Sequence, residues 1–300
     1  MTDATHPTRS HGRFPYSALP DRPVFDWPGG KRLAVYVALN VECFSFGEGD
    51  GAQLAPKGGE PDVLNASWRE WGNRVGVWRL RDLADELDLP LAVLLNSAAY
   101  HDCPGLADAF RARGDEIVGH GRTNAERQGT LGEAAERALI REASDLYRHH
   151  EGRLPDGWLG PWISESAVTP DLLVEEGYGY LLDWMHDDQP VWMRTRGGQP
   201  ILSVPYSHEI NDIPAVTTRL VSGPDFARMV SDQFHEMLAA SRQAPLVMSI
   251  ALHPYLVGQP HRLRPLREAL REIAAHRDEI WLTRPGEIAQ AFGAIAPFEG

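Results

Sequence analysis

The sequence predicts an α/β barrel, closed or nearly closed, and three observations carry that reading. Short apolar runs alternate with segments of helical period along most of the chain, the pattern of a parallel sheet with crossover helices. There are seven or eight such units, which suits a barrel better than an open sheet. Three of the apolar runs end in a side chain able to do acid–base work, and strand ends are where an α/β barrel keeps its active site.

The expected strands, in order, are 33–41, 90–96, 115–120, 157–162, 178–184, 201–206, 245–253 and 279–283. The first closes on Glu42, the third on Gly119-His120-Gly121, and the seventh on His253, followed by Pro254-Tyr255. Between them, Leu80, Leu83, Ala84 and Leu87 share one helical face, and Ala135, Ala138, Leu139, Glu142 and Leu146 share another with a single polar exception. Thr169-Pro170-Asp171 reads as an N-cap followed by proline at the first helical position, and Gly177 ends that short helix. The Gly/Pro-containing stretch from Phe44 to Trp71 follows the Glu42 strand, where a barrel places a functional loop, and it reads as either a lid or an oligomer contact. The region 186–222 reads as loops and a β excursion on the barrel. The expected organisation is a polar N-terminal arm over 1–26 and one catalytic domain over 27–300.

Composition narrows the class. A chain of 300 residues with 43% hydrophobic and 24% charged content can bury one large core. The net charge of −13 and the lack of a basic stripe argue against nucleic acid or an anionic membrane surface as partner. The residues before Pro20 lack the apolar core of a signal peptide, and no apolar run spans a bilayer, so a cytoplasmic setting is expected. Cys43 and Cys103 lack the spacing of a zinc knuckle and read as buried thiols.

Glu42, His120 and His253 supply one acid and two groups that titrate near neutral pH, the minimal kit for activating water and protonating a leaving nitrogen. Hydrolysis is the simplest reaction class, and the alternative is a buried Glu42 paired with an arginine such as Arg74 or Arg79. Asn124 stands four residues after His120, where a second imidazole would let two side chains share a metal. A neutral amide is a poor zinc ligand, so the reading is that no metal is held; if one were, Glu42 and His120 would hold it. Trp158 and Trp162 around Gly160-Pro161, with Trp184, Tyr206 and Tyr255, suit a planar imide or ureide ring or a sugar face. Asp187-Asp188 and Asn211-Asp212 either hydrogen-bond such a ligand or form turns. There is no Gly-x-Ser-x-Gly elbow, His-Glu-x-x-His, phosphate loop or dinucleotide fingerprint.

The order of these pieces resembles the polysaccharide deacetylase superfamily, carbohydrate esterase family four in the wide sense. It resembles more closely the branch of metal-independent allantoinases, cyclic imidases and peptidoglycan-deacetylase-like proteins. The strings that carry the resemblance run from about Trp27 to about Phe292: Leu39-Asn40-Val41-Glu42, Asn73-Arg74-Val75-Gly76-Val77-Trp78-Arg79, Gly119-His120-Gly121, Gly157-Trp158-Leu159-Gly160-Pro161, Leu182-Asp183-Trp184 with Asp187-Asp188-Gln189-Pro190, Pro205-Tyr206 with Asn211-Asp212, and Leu252-His253-Pro254-Tyr255. The resemblance implies a distorted (β/α) barrel, often a homotetramer, that hydrolyses a non-peptide carbon–nitrogen bond. Deacetylases carry two aspartates in the first motif, two histidines in the third-strand motif and an arginine in the next. This chain has Asn40 and Glu42, which resembles the allantoinase form, has Asn124 for the second histidine, and shows no such arginine.

The expected enzyme therefore cleaves a linear or cyclic amide (an imide, a ureide or an N-acetyl group) and requires no cofactor. In it Glu42 positions or deprotonates water, His120 orients the carbonyl or shares the base role, and His253 assists the leaving nitrogen. Tetrahedral charge is met by Asn124, Arg79 or backbone amides. Asn40, Trp158, Pro161, Trp184, Asp187, Asp188, Tyr206, Asn211 and Asp212 are the expected substrate contacts. Two alternatives stand beside it: a zinc-dependent N-deacetylase of amino-sugar or peptidoglycan fragments, and a catalytically inactive ligand-binding barrel.

Overall fold

The computed structural model describes residues 10–299. Its centre is β1 (Leu33–Val41), buried at every position because both faces of an uninterrupted apolar run are covered. β1 pairs in parallel with β2 (Leu91–Leu95) on one side and β8 (Leu246–Leu252) on the other. From β2 the sheet continues through β3 (Glu116–Gly119), β4 (Gly157–Trp158), β5 (Tyr180–Leu181) and β7 (Ile201–Ser203) to β6 (Val191–Met193). β9 (Trp281–Leu282) lies beside the first half of β1. Every pairing is parallel except β6 with β7, which is the expected β excursion. The path from β6 to β8 has no closing ladder; a single parallel bridge, Asn211 with Ala251, stitches the seam. This is a distorted (β/α) barrel.

All eight expected strands are present, but those at 157–162, 178–184, 201–206 and 279–283 shorten to two or three residues. Pro161 and Pro205 cannot donate to a ladder, which ends two of them early. The helices α1 (Val63–Trp71), α2 (Val77–Leu87), α3 (Ala99–Asp102), α4 (Leu106–Arg113), α5 (Glu133–Glu151), α6 (Thr169–Glu176), α7 (Gly223–Ala240), α8 (Pro254–Val257), α9 (Pro260–Ala275) and α10 (Pro285–Ile295) surround the sheet. The α2 face is as expected. On α5 the buried stripe is Glu136, Leu139, Ile140, Ala143, Ser144 and Tyr147, so Ala135, Ala138, Glu142 and Leu146 of the expected face point to solvent. The helix turns this way because the apolar area of Ile140 and Tyr147 outweighs that of Ala135 and Ala138. Thr169 is the first helical residue rather than the cap, and Gly177 ends α6 at φ 111°.

The expected polar arm lies outside the described residues up to position 9. Its described part is strapped down: Arg13 forks onto Asp171 at 2.6 and 2.7 Å, and Arg22 onto Asp187 at 2.6 and 2.7 Å. No helix among the described residues is long and apolar enough to cross a membrane.

Strand alternation sorts the core into two layers. Leu33, Val35, Val37, Leu39 and Val41 of β1 pack outward against α2, α7 and α9, whereas Ala34, Tyr36 and Ala38 fill the barrel. On β8, Met248, Ile250 and Leu252 point outward and Val247 and Ala251 inward. On β3, Ile117 points outward and Val118 inward. Glu42, His120 and His253 continue the inward series one step past their strands.

Candidate active site

That parity brings the three side chains together. His120 Nε2 lies 3.6 Å and His253 Nε2 3.5 Å from the same oxygen, Glu42 Oε1. All three are buried, at 5%, 1% and 3% exposure for Glu42, His120 and His253.

Each group is held by a built set of partners. Asn124 Nδ2 donates to Glu42 Oε1 at 2.5 Å, and Tyr255 OH donates to Oε2. Asn124 is itself oriented by Asn96, whose Nδ2 donates to Asn124 Oδ1 at 2.9 Å while its Oδ1 accepts from Cys43 N at 2.8 Å. His253 Nδ1 donates to Asp212 Oδ1 at 2.6 Å, and the His253 backbone N–H to Asp212 Oδ2 at 2.9 Å. His120 Nδ1 meets the Leu159 carbonyl at 2.8 Å. A carbonyl only accepts, so Nδ1 carries a proton, and Nε2 is the nitrogen that faces the site. That Nε2 is buried without a hydrogen-bond partner. An orphaned buried nitrogen is costly in a resting fold.

The charges are set by the same contacts. Burial alone would raise the Glu42 carboxyl, but the His253 charge and the closeness of both imidazoles prevail and hold it down at about 2. Burial likewise works against a charged His253, yet the Asp212 and Glu42 carboxylates outweigh it and raise the imidazole to about 9. At neutral pH the pair is carboxylate and imidazolium.

A zinc ion does not fit this donor set. Glu42 already accepts hydrogens at both oxygens, and Asn124 turns its NH₂, not a lone pair, toward them. Among the described residues no group of three or more His, Cys, Asp or Glu side chains forms a metal cage.

Of the other expected contacts, Asn40 and Tyr206 lie in the barrel beside the triad, with Asn40 Nδ2 donating to Tyr206 OH at 3.1 Å. Pro161 packs on Gly121, and Asp212 holds His253. Asn211 is a turn former whose Oδ1 accepts from Ile213 N at 3.0 Å. The rest are placed elsewhere. Trp158 has outward parity and meets Tyr178 edge-on under α5. Trp184 donates to Glu165 at 2.5 Å and packs on Phe14 of the arm. Asp187 pairs with Arg22, and Asp188 accepts from Val247 at the start of β8, the opposite end from His253. Arg79 lies on α2 against Trp71 and the Gly258 carbonyl. Arg74 pairs with Glu70 at 3.5 Å, so neither arginine meets Glu42. Asn96 and the role of Tyr255 escape the sequence reading, although Asn96 ends the apolar run Leu91–Leu95 in the way that Glu42 ends its own.

The stretch after Glu42 lies over the site. Its Asp50 N–H donates to the Ala125 carbonyl at 2.9 Å, and a side chain at Gly49 (φ 68°) would lie 2.4 Å from that oxygen. Trp162, in the left-handed region at φ 65°, donates its indole N–H to the Asn124 carbonyl at 2.9 Å and completes the cover. A cavity of about 450 Å³ adjoins it, lined by Glu42, Cys43, Phe44, Arg69, Arg74 and Cys103 among others. Of the two thiols read as buried, Cys103 is only half-buried.

Gly121 fixes His120 in place. It has φ 65°, and a Cβ there would lie 2.6 Å from Pro161 Cγ. Gly121→Ala is expected to cost ~1–3 kcal/mol by denaturant midpoint. Gly132→Ala, where a Cβ meets nothing within 4 Å, is the matched control and is expected to be near neutral.

No family profile matches the chain. It is 24% identical over 291 residues to a putative polysaccharide deacetylase of Schizosaccharomyces pombe, covering 90% of this chain and 88% of the other. Among solved structures it is similar to Puue allantoinase, with TM-score 0.83, 29% identity, and 95% and 99% of the two chains covered. It is equally similar to a probable polysaccharide deacetylase from Pseudomonas aeruginosa PAO1, with TM-score 0.83, 29% identity, and 93% and 97% covered. End-to-end likeness of this kind, on a barrel that gathers an acid and two imidazoles at its mouth, is consistent with a hydrolase of the polysaccharide deacetylase superfamily.

Proposed function

We propose that the protein hydrolyses the carbon–nitrogen bond of a small linear or cyclic amide, such as an imide, a ureide or an N-acetyl compound, by acid–base chemistry on its own side chains. The observation that carries this reading is His120 Nε2, buried, unpartnered and 3.6 Å from Glu42 Oε1. A carboxyl held at about 2 is a weak base, so His120 takes the proton from water while Glu42 orients that water and balances the imidazolium that forms. His253, already charged through Asp212, gives its proton to the leaving nitrogen. Asn124 and Tyr255 keep Glu42 ionised and fixed. The proteins it resembles are named as an allantoinase and as polysaccharide deacetylases, which supports amide cleavage without choosing between the substrates.

The test is a hydrolysis screen of cyclic imides, hydantoins, allantoin and N-acetyl compounds, with and without a chelator. Turnover of at least one class is expected, at a rate the chelator does not change. Loss of activity on chelation, restored by zinc, would select the metal-dependent N-deacetylase. Binding without turnover would select the inactive barrel.

A further inference from the structure

Arg69 stands in the last turn of α1 with 9% of its surface exposed. By contrast Arg13, Arg22 and Arg113, also largely buried, each close on an aspartate: Asp171, Asp187 and Asp115. Arg69 has no such partner among the described residues. Its Nη1 donates to the Ala52 carbonyl at 3.0 Å, and its Nε is buried with no acceptor. The acids nearby are already engaged: Asp62 by Asn65, Glu70 by Arg74, and Glu42 by Asn124 and Tyr255. Burying a guanidinium without a counter-charge is unfavourable, and an incoming anion would offset that cost.

The group is also held still. Its Cζ sits 4.7 Å over the Phe44 ring, and the backbone at Gly51 comes so close that a Cβ there would lie 2.5 Å from Nη1. A fixed planar fork is the geometry that reads a carboxylate through two parallel hydrogen bonds. The fork lines the 450 Å³ cavity whose wall includes Glu42. Phe44 links it to the triad, since the Phe44 and Tyr255 rings are 6.2 Å apart and Tyr255 donates to Glu42.

We propose that Arg69 is a specificity-determining residue that binds a carboxylate on the substrate, so that the preferred substrate is a small amide carrying an acidic group near the bond to be cleaved. The inference rests on the amide-hydrolase reading above. It also gives an acidic protein, of net charge −13, a local cation with which to hold an anion.

The experiment uses pairs that differ by one carboxylate-bearing substituent: dihydroorotate with dihydrouracil, hydantoin-5-acetate with hydantoin, and N-acetylmuramate with N-acetylglucosamine. For the intact protein, kcat/KM is expected to favour the acidic member of at least one pair by on the order of 10-fold. Arg69→Gln should bring that ratio toward one through KM, and Arg69→Lys should recover part of it, keeping the charge without the fork. An anchor for the overlying loop would slow both members alike and leave the ratio unchanged, which would overturn the proposal. Calorimetric binding of the same pairs to Glu42→Gln protein needs no turnover. Selective binding of acidic members there, with no hydrolysis by the intact protein, would reject the amide-hydrolase reading and keep the anion site. Equal binding of both members in every pair would reject the anion site.

Discussion

Glu42→Gln is expected to lower kcat by on the order of 10³-fold with the fold intact, as measured by steady-state kinetics beside circular dichroism. The substitution keeps the volume of a side chain in a fully packed position and removes one charge. The amide retains one acceptor oxygen for two donors, Asn124 Nδ2 and Tyr255 OH, so one contact becomes donor against donor. The larger effect is electrostatic. Glu42 is one of the two carboxylates that raise His253 to about 9, and its loss should lower that titration in a histidine-detected NMR experiment. Turnover at the normal rate in this variant would remove Glu42 from the chemistry.

Asp212→Asn is expected to reduce kcat by ~10²–10⁴-fold and to move the alkaline limb of the pH–rate profile to lower pH. Asp212 accepts both the ring and the backbone N–H of His253, and an amide can accept only one of them comfortably. The intact enzyme needs a protonated His253, so its rate should fall as pH rises through about 9. Stability should follow the same pair. His253 is raised from 6.5 to about 9, so its contribution is complete below pH 6.5 and lost as pH rises through 9. Glu42 is lowered from 4.5 to about 2, so its contribution is complete above pH 4.5 and lost as pH falls through 2. Denaturant midpoints across pH should show both losses, and an alkaline limb in Asp212→Asn that matches the unsubstituted protein would detach His253 from Asp212.

The triad was legible because it obeys two local rules at once. Each member ends an apolar run and has the parity of the barrel interior. Trp158 shows what happens when only the first rule is applied: it stands near a strand end, but its parity sends it outward to Tyr178. Asp187 and Asp188 read as ligand contacts, yet Asp187 is taken by Arg22, and Asp188 meets the start of β8, the end of that strand away from His253. Trp184 and Arg79 depend on packing against the arm and on α2, which no spacing rule records. Arg69 was illegible for a further reason: local sequence marks a charge but not the absence of its partner, which is a property of the whole fold.

The near-burial of the triad sets the medium in which the bond would break. Glu42, His120 and His253 are only 5%, 1% and 3% exposed, and Glu42 alone of the three lines the 450 Å³ cavity. With so little contact with bulk solvent, charge that forms there is met by fixed protein groups rather than by mobile water, so the placement of each neighbouring donor and carboxylate weighs more than it would on an open surface.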